Sequence, residues 1–432
     1  MGPPDMLLYL QIETINHQMA PPVRFLLVST HTEQVTGYSK VSYNLLKQLG
    51  TLAPLVKIFH FGFQRTPARL PQPARPIKGV IQYDAAANED PKEQGFGFNK
   101  FKEYVETVNP DIIMIYNDPI VVNQFIQQIK DVPKSWKLWV YLDQVYKGAD
   151  MGLLRNIENA SDRIICFTDT WKTHLLTRLT TPNIKIDVME HGVDSLVFKP
   201  LSDSERNGIR KNLNIPPNAI VFLNMNRNSQ RKRLDLTLMG FARLLKEFPD
   251  KPFHLLMVTG VKPEGGAYYQ PLQIYLNELE LLGLDNLKYG TRVSIVDTTP
   301  PTAYFNDEAI NQLYNVADVG VNTSNGEGFG LCQLEHMATG APQVVLDLDC
   351  YKAFMTDETS VRCPLTSYSY LQMTAGVGLT EYTTTAEEVA SAMKKAVATL
   401  GRETSEKCVA LARSRPWSKI CDEFLESILE KN

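Results

Sequence analysis

One rhythm constrains this chain more than any other feature. Short apolar runs, VRFLLVS (23–29), LVKIFHF (55–61), DIIMIY (111–116), KLWVYL (137–142) and RIICFT (163–168), alternate with helix-patterned stretches such as SKVSYNLLKQL (39–49) and FKEYVETV. Runs this apolar and β-branched suit strands covered on both faces. Parallel neighbours need a crossover between them, so strand–helix alternation predicts an open parallel sheet. Near residue 200 the rhythm stops. HGVDSLVFKPLSDSERNGIRKNLNIPPNA is polar, holds Pro200, Pro216 and Pro217, and reads as a linker. A second series follows: AIVFLNMN (219–226), FHLLMVTG (253–260), VSIVD (293–297), VGVNTS (319–324) and PQVVLD (342–347). Its helix RLDLTLMGFARLLKEF (233–248) sets Leu234, Leu238, Phe241, Leu245 and Phe248 on one face. Two consecutive α/β domains dividing near residue 200 are expected, with ligands at the carboxyl ends of strands facing an interdomain cleft.

Length agrees, since 432 residues exceed one ordinary core. A net charge of -4 argues against general binding to nucleic acid or anionic membranes. Cys166, Cys332, Cys350, Cys363, Cys408 and Cys421 are scattered without zinc or redox spacing, which fits a reducing, cytoplasmic setting. MGPPDMLLYLQIETINHQMAPP has a short apolar run and no basic flank, so it reads as neither signal peptide nor anchor. No run approaches the ~18 apolar residues of a membrane span, and membrane contact is expected to be peripheral at most.

The stretch with most chemistry is NTSNGEGFGLCQLEHMATGAP (322–342). It leaves the end of a buried strand through Gly326, Gly328 and Gly330, then opens a short helix that Gly340 caps and Pro342 exits. Such a turn lets free N–H groups approach an anion. Glu327 and Glu335 are poor phosphate ligands but good acceptors for hydroxyls. An anion carrying many hydroxyls describes a nucleotide sugar.

This stretch resembles the E-x7-E signature of the retaining, GT-B-fold glycosyltransferases of family 4, as Glu327-Gly-Phe-Gly-Leu331, Leu334-Glu335-His336-Met337-Ala338 and Gly340-Ala-Pro342. Further stretches match in the family's order: ASDRIICFTDTWK (160–172), HGVDSLVFKP (191–200), NRNSQRKRLD (226–235), EAINQLYNVADVGVNTS (308–324) and RPWSKICDEFLESI (415–428). The resemblance covers about residues 160 to 430. It implies a GT-B fold of two Rossmann-like domains, 1–199 and 200–415, whose C-terminal helix, about 416–432, crosses back to the first domain. It also implies that Arg227 and Lys232 hold the donor diphosphate and that Glu335 accepts from ribose hydroxyls. Glu327, with the backbone of Gly328, Phe329, Gly330 and Leu331, would face the donor sugar, and Gly37 would lie near the diphosphate, with Tyr38 and Ser39 as weaker candidates. No cofactor and no required metal are implied, so Asp347-Leu-Asp349 is not read as a metal motif.

Many family members carry a His-Asp pair after the fourth main strand. Here Tyr141-Leu142-Asp143-Gln144 has no histidine, leaving Asp143 as base or positioning carboxylate, with Asp118 as an alternative. His191 and His336 are expected to make structural hydrogen bonds. The expected activity is metal-independent, retaining transfer of a hexosyl group from a UDP- or GDP-sugar to a carbohydrate, glycoprotein or lipid-linked acceptor. The rivals are a nucleotide-sugar epimerase, a non-catalytic sugar-nucleotide-binding protein and a nucleic-acid-binding module.

Overall fold

A computed structural model describes residues 21–34, 36–65, 77–148, 150–180, 184–299, 305–371 and 378–430. The leader reading therefore falls almost wholly outside the described residues. The first sheet holds β1 (Val23–Thr30), β2 (Val56–Phe63), β3 (Val80–Asp84), β4 (Ile112–Asn117), β5 (Lys137–Leu142), β6 (Arg163–Cys166) and β7 (Lys185–Val188). They are parallel, in the order β3-β2-β1-β4-β5-β6-β7. The second sheet holds β8 (Ile220–Asn224), β9 (Phe253–Thr259), β10 (Val293–Asp297), β11 (Val319–Asn322), β12 (Gln343–Leu346) and β13 (Ser360–Cys363). It is parallel too, in the order β10-β9-β8-β11-β12-β13. An antiparallel hairpin, β14 (Ser367–Leu371) and β15 (Leu379–Thr383), stands outside both.

Each sheet reverses strand order once, between β1 and β4 and between β8 and β11. Loops on either side of such a switch diverge and leave a crevice at the strands' carboxyl ends. The strands form there because their side chains are spent on packing: every residue of β4 and of β9 is buried. The helix Leu234–Glu247 buries Leu234, Leu238, Phe241 and Leu245, and its buried Thr237 accepts a hydrogen bond from Asn224 Nδ2 (2.8 Å). The polar stretch that reads as a linker is partly helical. Asp203–Asn212 forms a helix because Ser202 and Glu205 make a reciprocal capping box, a local signal that its lack of an apolar stripe conceals.

The last helix, Trp417–Leu429, lies against the first sheet. Phe424 meets Phe25 at 6.1 Å and Trp139 at 6.0 Å between ring centroids, and Ser427 accepts a hydrogen bond from Arg163 (2.6 Å). Each ring of this kind contributes ~1.5–3 kcal/mol through burial. Val193 N–H donates to the Arg415 carbonyl beside this return (2.9 Å). Trp171 Nε1 donates to the Gly328 carbonyl (2.8 Å) and Thr380 N–H to the Lys147 carbonyl (2.9 Å), so both halves touch across the cleft.

Candidate active site

The loops after β8 and β11 leave the second switch point side by side. Glu327 is gripped there by Lys232, by Arg231 (3.1 Å) and by Asn322 Nδ2 (3.2 Å). Burial alone would raise the carboxyl's pKa, but Lys232 and Arg231 outweigh it and hold Glu327 at about 2. Arg231 also donates to the Gly326 carbonyl. Among the described residues, none of the N–H groups from Gly326 to Leu331 has a protein acceptor. The loop therefore offers unspent donors beside two fixed cations. Gly328 must be glycine: a β-carbon there would collide with Asp143 Oδ1 of the other half. Gly330 must be glycine as well, at φ +104° against the Tyr351 ring. Phe329 turns its side chain inward against His191 and Phe354, and Leu331 begins the helix Leu331–Met337.

Arg227 is not in this cluster. Its side chain is exposed, and it bonds to no described side chain. The cation brought to Glu327 alongside Lys232 is Arg231, which RNSQRKR contains but spacing to the family motif does not single out. The cause is local: Gln230–Lys232 coils into a 3-10 turn and Arg233 adopts a left-handed φ of 45°, which aims Arg231 and Lys232 inward.

Glu335 is held differently. Lys40, from the helix Gly37–Leu49 of the first half, donates to both carboxylate oxygens at 2.7 Å and also lies 3.4 Å from Asp307. Tyr314 donates to the same carboxylate (3.2 Å), and the Phe198 ring lies 4.6 Å from the ammonium. Burial would lower Lys40, but Glu335 and Asp307 raise it above its ordinary value. Burial raises Glu335, and Lys40 offsets this only in part. The sequence gives no hint of Lys40, because the pair joins residues 295 positions apart.

On the acceptor side, Asp143 accepts a hydrogen bond from Tyr38 (2.5 Å), and its other oxygen has no partner among the described residues. Burial pushes Asp143 up to about 6, although the Tyr38 bond and Arg231 pull the other way. Asp118 is a helix cap, accepting from Ile120 N–H (2.9 Å) and Val121 N–H (3.0 Å). Ser39 is buried and donates to the Thr32 carbonyl (2.9 Å). Gly37 starts its helix in open space, where a side chain would meet nothing within 4 Å. His336 does make a structural bond, Nε2 to the Tyr314 carbonyl (3.1 Å). His191 does not: both ring nitrogens lack a described partner, and it packs among Phe167, Phe329 and Trp417. Burial drives His191 down to about 3, so it is neutral packing at neutral pH. Asp349 is matched by Lys147 (2.7 Å) and Lys352 (2.8 Å), and Arg362 lies 3.8 Å from Asp347.

Residues 217–367 match the family described as Glycosyl transferases group 1. Sucrose-phosphate synthase from Thermosynechococcus elongatus superposes with a TM-score of 0.67 at 17% identity, covering 94% of this chain and 98% of that one. Anabaena HepE in complex with UDP-glucose does so with a TM-score of 0.65 at 15% identity, covering 94% and 99%. The fold is GT-B. Likeness at this identity establishes the GT-B architecture and leaves the chemistry to the cleft residues. In sequence, the D-inositol 3-phosphate glycosyltransferase of Corynebacterium kroppenstedtii is 29% identical over 188 residues, 44% of this chain and 38% of that protein. Mannosylfructose-phosphate synthase of Agrobacterium fabrum is 27% identical over 190 residues, again 44% and 38%. The match thus spans about two-fifths of these relatives' length. No helix among the described residues is long and apolar enough to cross a membrane.

Proposed function

We propose that this GT-B protein is a retaining glycosyltransferase of the E-x7-E type. It moves a hexosyl group from a UDP- or GDP-sugar to a hydroxyl of a carbohydrate, glycoprotein or lipid-linked acceptor, without a required metal. The observation that carries the reading is the loop 326–331, with its unspent N–H groups beside Lys232, Arg231 and Glu327 at the second switch point. The neighbour solved with UDP-glucose and the names of the relatives, a glycosyltransferase and a sugar-phosphate synthase, support the same reading and disfavour an epimerase. Unpaired thiols throughout agree with a cytoplasmic setting. The division into 1–199 and 200–415, with the segment from about 416 that holds the helix Trp417–Leu429 counted to the first domain, belongs to this proposal.

Lys232 and Arg231 take the diphosphate, with Arg227 and Gly37 at the rim. Glu327 and the loop backbone hold the donor sugar. Glu335 accepts from the ribose once Lys40 has moved aside, which couples donor binding to motion between the halves. As the sugar–phosphate bond breaks, charge gathers on the diphosphate, and fixed cations and N–H groups lower that barrier without reorganising. The acceptor oxygen attacks on the face the diphosphate leaves, and its proton passes to the departing phosphate oxygen. Asp143 orients the acceptor and favours positive charge at the sugar carbon.

A screen of nucleotide sugars for diphosphate release, with and without candidate acceptors, tests this. Release from one donor, accelerated by an acceptor, is expected. Binding without release points to a non-catalytic protein, and no binding of any nucleotide sugar overturns the reading.

A further inference from the structure

A cavity adjoins the proposed donor site. It has a volume of about 490 Å³ and lies between the loops after β5 and β6 of one domain and those after β11, β12 and β13 of the other, with β15 along one side. The Tyr146, Trp171 and Tyr382 rings line it, together with Asn325, Glu327 and Asp349. Trp171 is fixed by its bond to the Gly328 carbonyl, so one aromatic wall is rigid. Asn325 is only 3% exposed. Its backbone N–H donates to the Arg231 carbonyl (2.9 Å), but its side-chain Oδ1 has no donor among the described residues. A buried acceptor left unpaired is costly, so this atom calls for a hydroxyl.

Charge narrows the ligand class. Lys147 and Lys352 line the cavity together with three carboxylates, Glu327, Asp347 and Asp349. Among the described residues its walls therefore hold no surplus of cations for a phosphate or carboxylate. Aromatic faces with hydrogen-bonding groups between them suit a neutral ring studded with hydroxyls. The volume lies within the ~300–1,000 Å³ of small-molecule sites. Glu327 borders it, and Tyr146 continues the strand end that carries Asp143.

We propose that this cavity is the acceptor subsite and that it takes a neutral sugar ring. The inference rests on the transferase reading above and goes further by naming where the acceptor sits and excluding acceptors whose anionic group must be bound here. In the step it serves, a hydroxyl of the bound ring forms the new bond to the donor's anomeric carbon as the bond from that carbon to the phosphate oxygen breaks. The hydroxyl's proton leaves with the phosphate.

Neutral methyl glycosides of glucose, galactose and mannose are titrated against the full chain, with UDP and UDP-sugars titrated separately. Tyr382→Ala and Asn325→Ala are tested beside the wild type, two variants on different elements so that one misfolded protein does not decide the result. At least one glycoside is expected to bind, with affinity falling about tenfold or more in each folded variant and UDP affinity staying within about twofold. Absence of glycoside binding, binding indifferent to both substitutions, or a hexose phosphate preferred by about tenfold over its neutral parent each overturns the subsite. Glycoside binding without any nucleotide-sugar binding overturns the transferase reading and leaves a sugar site standing; nucleotide-sugar binding without glycoside binding overturns the subsite alone.

Discussion

Glu327 and Glu335 stand eight positions apart in one short segment, yet they live in different electrostatic worlds. Glu327 is neutralised from within its own domain, by Lys232 and Arg231 on the neighbouring loop. Glu335 is neutralised from across the cleft, by Lys40. The first arrangement is a built-in feature of the second sheet's switch point and persists whatever the domains do. The second exists only while the halves are together. One carboxylate thus belongs to a site and the other, in this arrangement, to a closure contact.

The sharpest way to break this contrast is to remove Lys40. Lys40→Met strands a buried carboxylate and is expected to cost ~3–5 kcal/mol. Glu335→Gln leaves Lys40 near Asp307 and is expected to cost only ~1–2 kcal/mol. Urea unfolding followed by fluorescence compares them, and equal losses would show that Glu335 does not depend on Lys40 more than Lys40 depends on Glu335. Next in size is Asp143→Asn, expected to slow transfer about a hundredfold while donor affinity stays within about twofold. Its pH signature is specific. The raised pKa means that the carboxylate takes up its proton near pH 6 rather than near 4, so wild-type transfer should fall as pH drops through about 6. That acid limb should vanish in the Asn variant, and an unchanged profile removes Asp143 from the site.

On the Glu327 side, Lys232→Ala is expected to weaken donor binding by ~1.5–3 kcal/mol through loss of charge-assisted contacts. Exposed Arg227→Ala should cost under about 1 kcal/mol. Calorimetry with UDP-sugar ranks the two, and the reverse ranking would return Arg227 to the centre of the clamp. The smallest effect expected is none: chelator-treated protein should keep its transfer rate, whereas loss restored by Mg²⁺ or Mn²⁺ would bring Asp347 and Asp349 back as ligands.

What was legible in the sequence was whatever local periodicity records. Ten strands announced themselves as apolar runs, among them β4, β9 and β11, as did the helix Leu234–Glu247. β3 escaped because its residues are half-exposed on a sheet edge, the hairpin β14–β15 because its residues are exposed or half-buried, and β7 and β13 because each is only four residues long and not fully buried. The glycine-rich loop could be read because Gly328 and Gly330 answer close approach and positive φ, and both leave a mark in the residue type. Lys40 and Arg231 could not be found that way. A lysine on a helix and one arginine among four cations look ordinary, and only the closing of one domain on the other, or a left-handed turn at Arg233, tells them apart from their neighbours.

The returning helix Trp417–Leu429 has a consequence for how the molecule is born. Phe25 and Trp139 leave the ribosome before the second domain, but Phe424, which shields them, follows it. At ~5–20 residues per second, the interval between Trp139 and Phe424 is roughly 15–60 s. For that time the nascent first domain shows an aromatic face to the cell, a natural stopping place for a chaperone, and the second domain must fold while its elder waits unfinished.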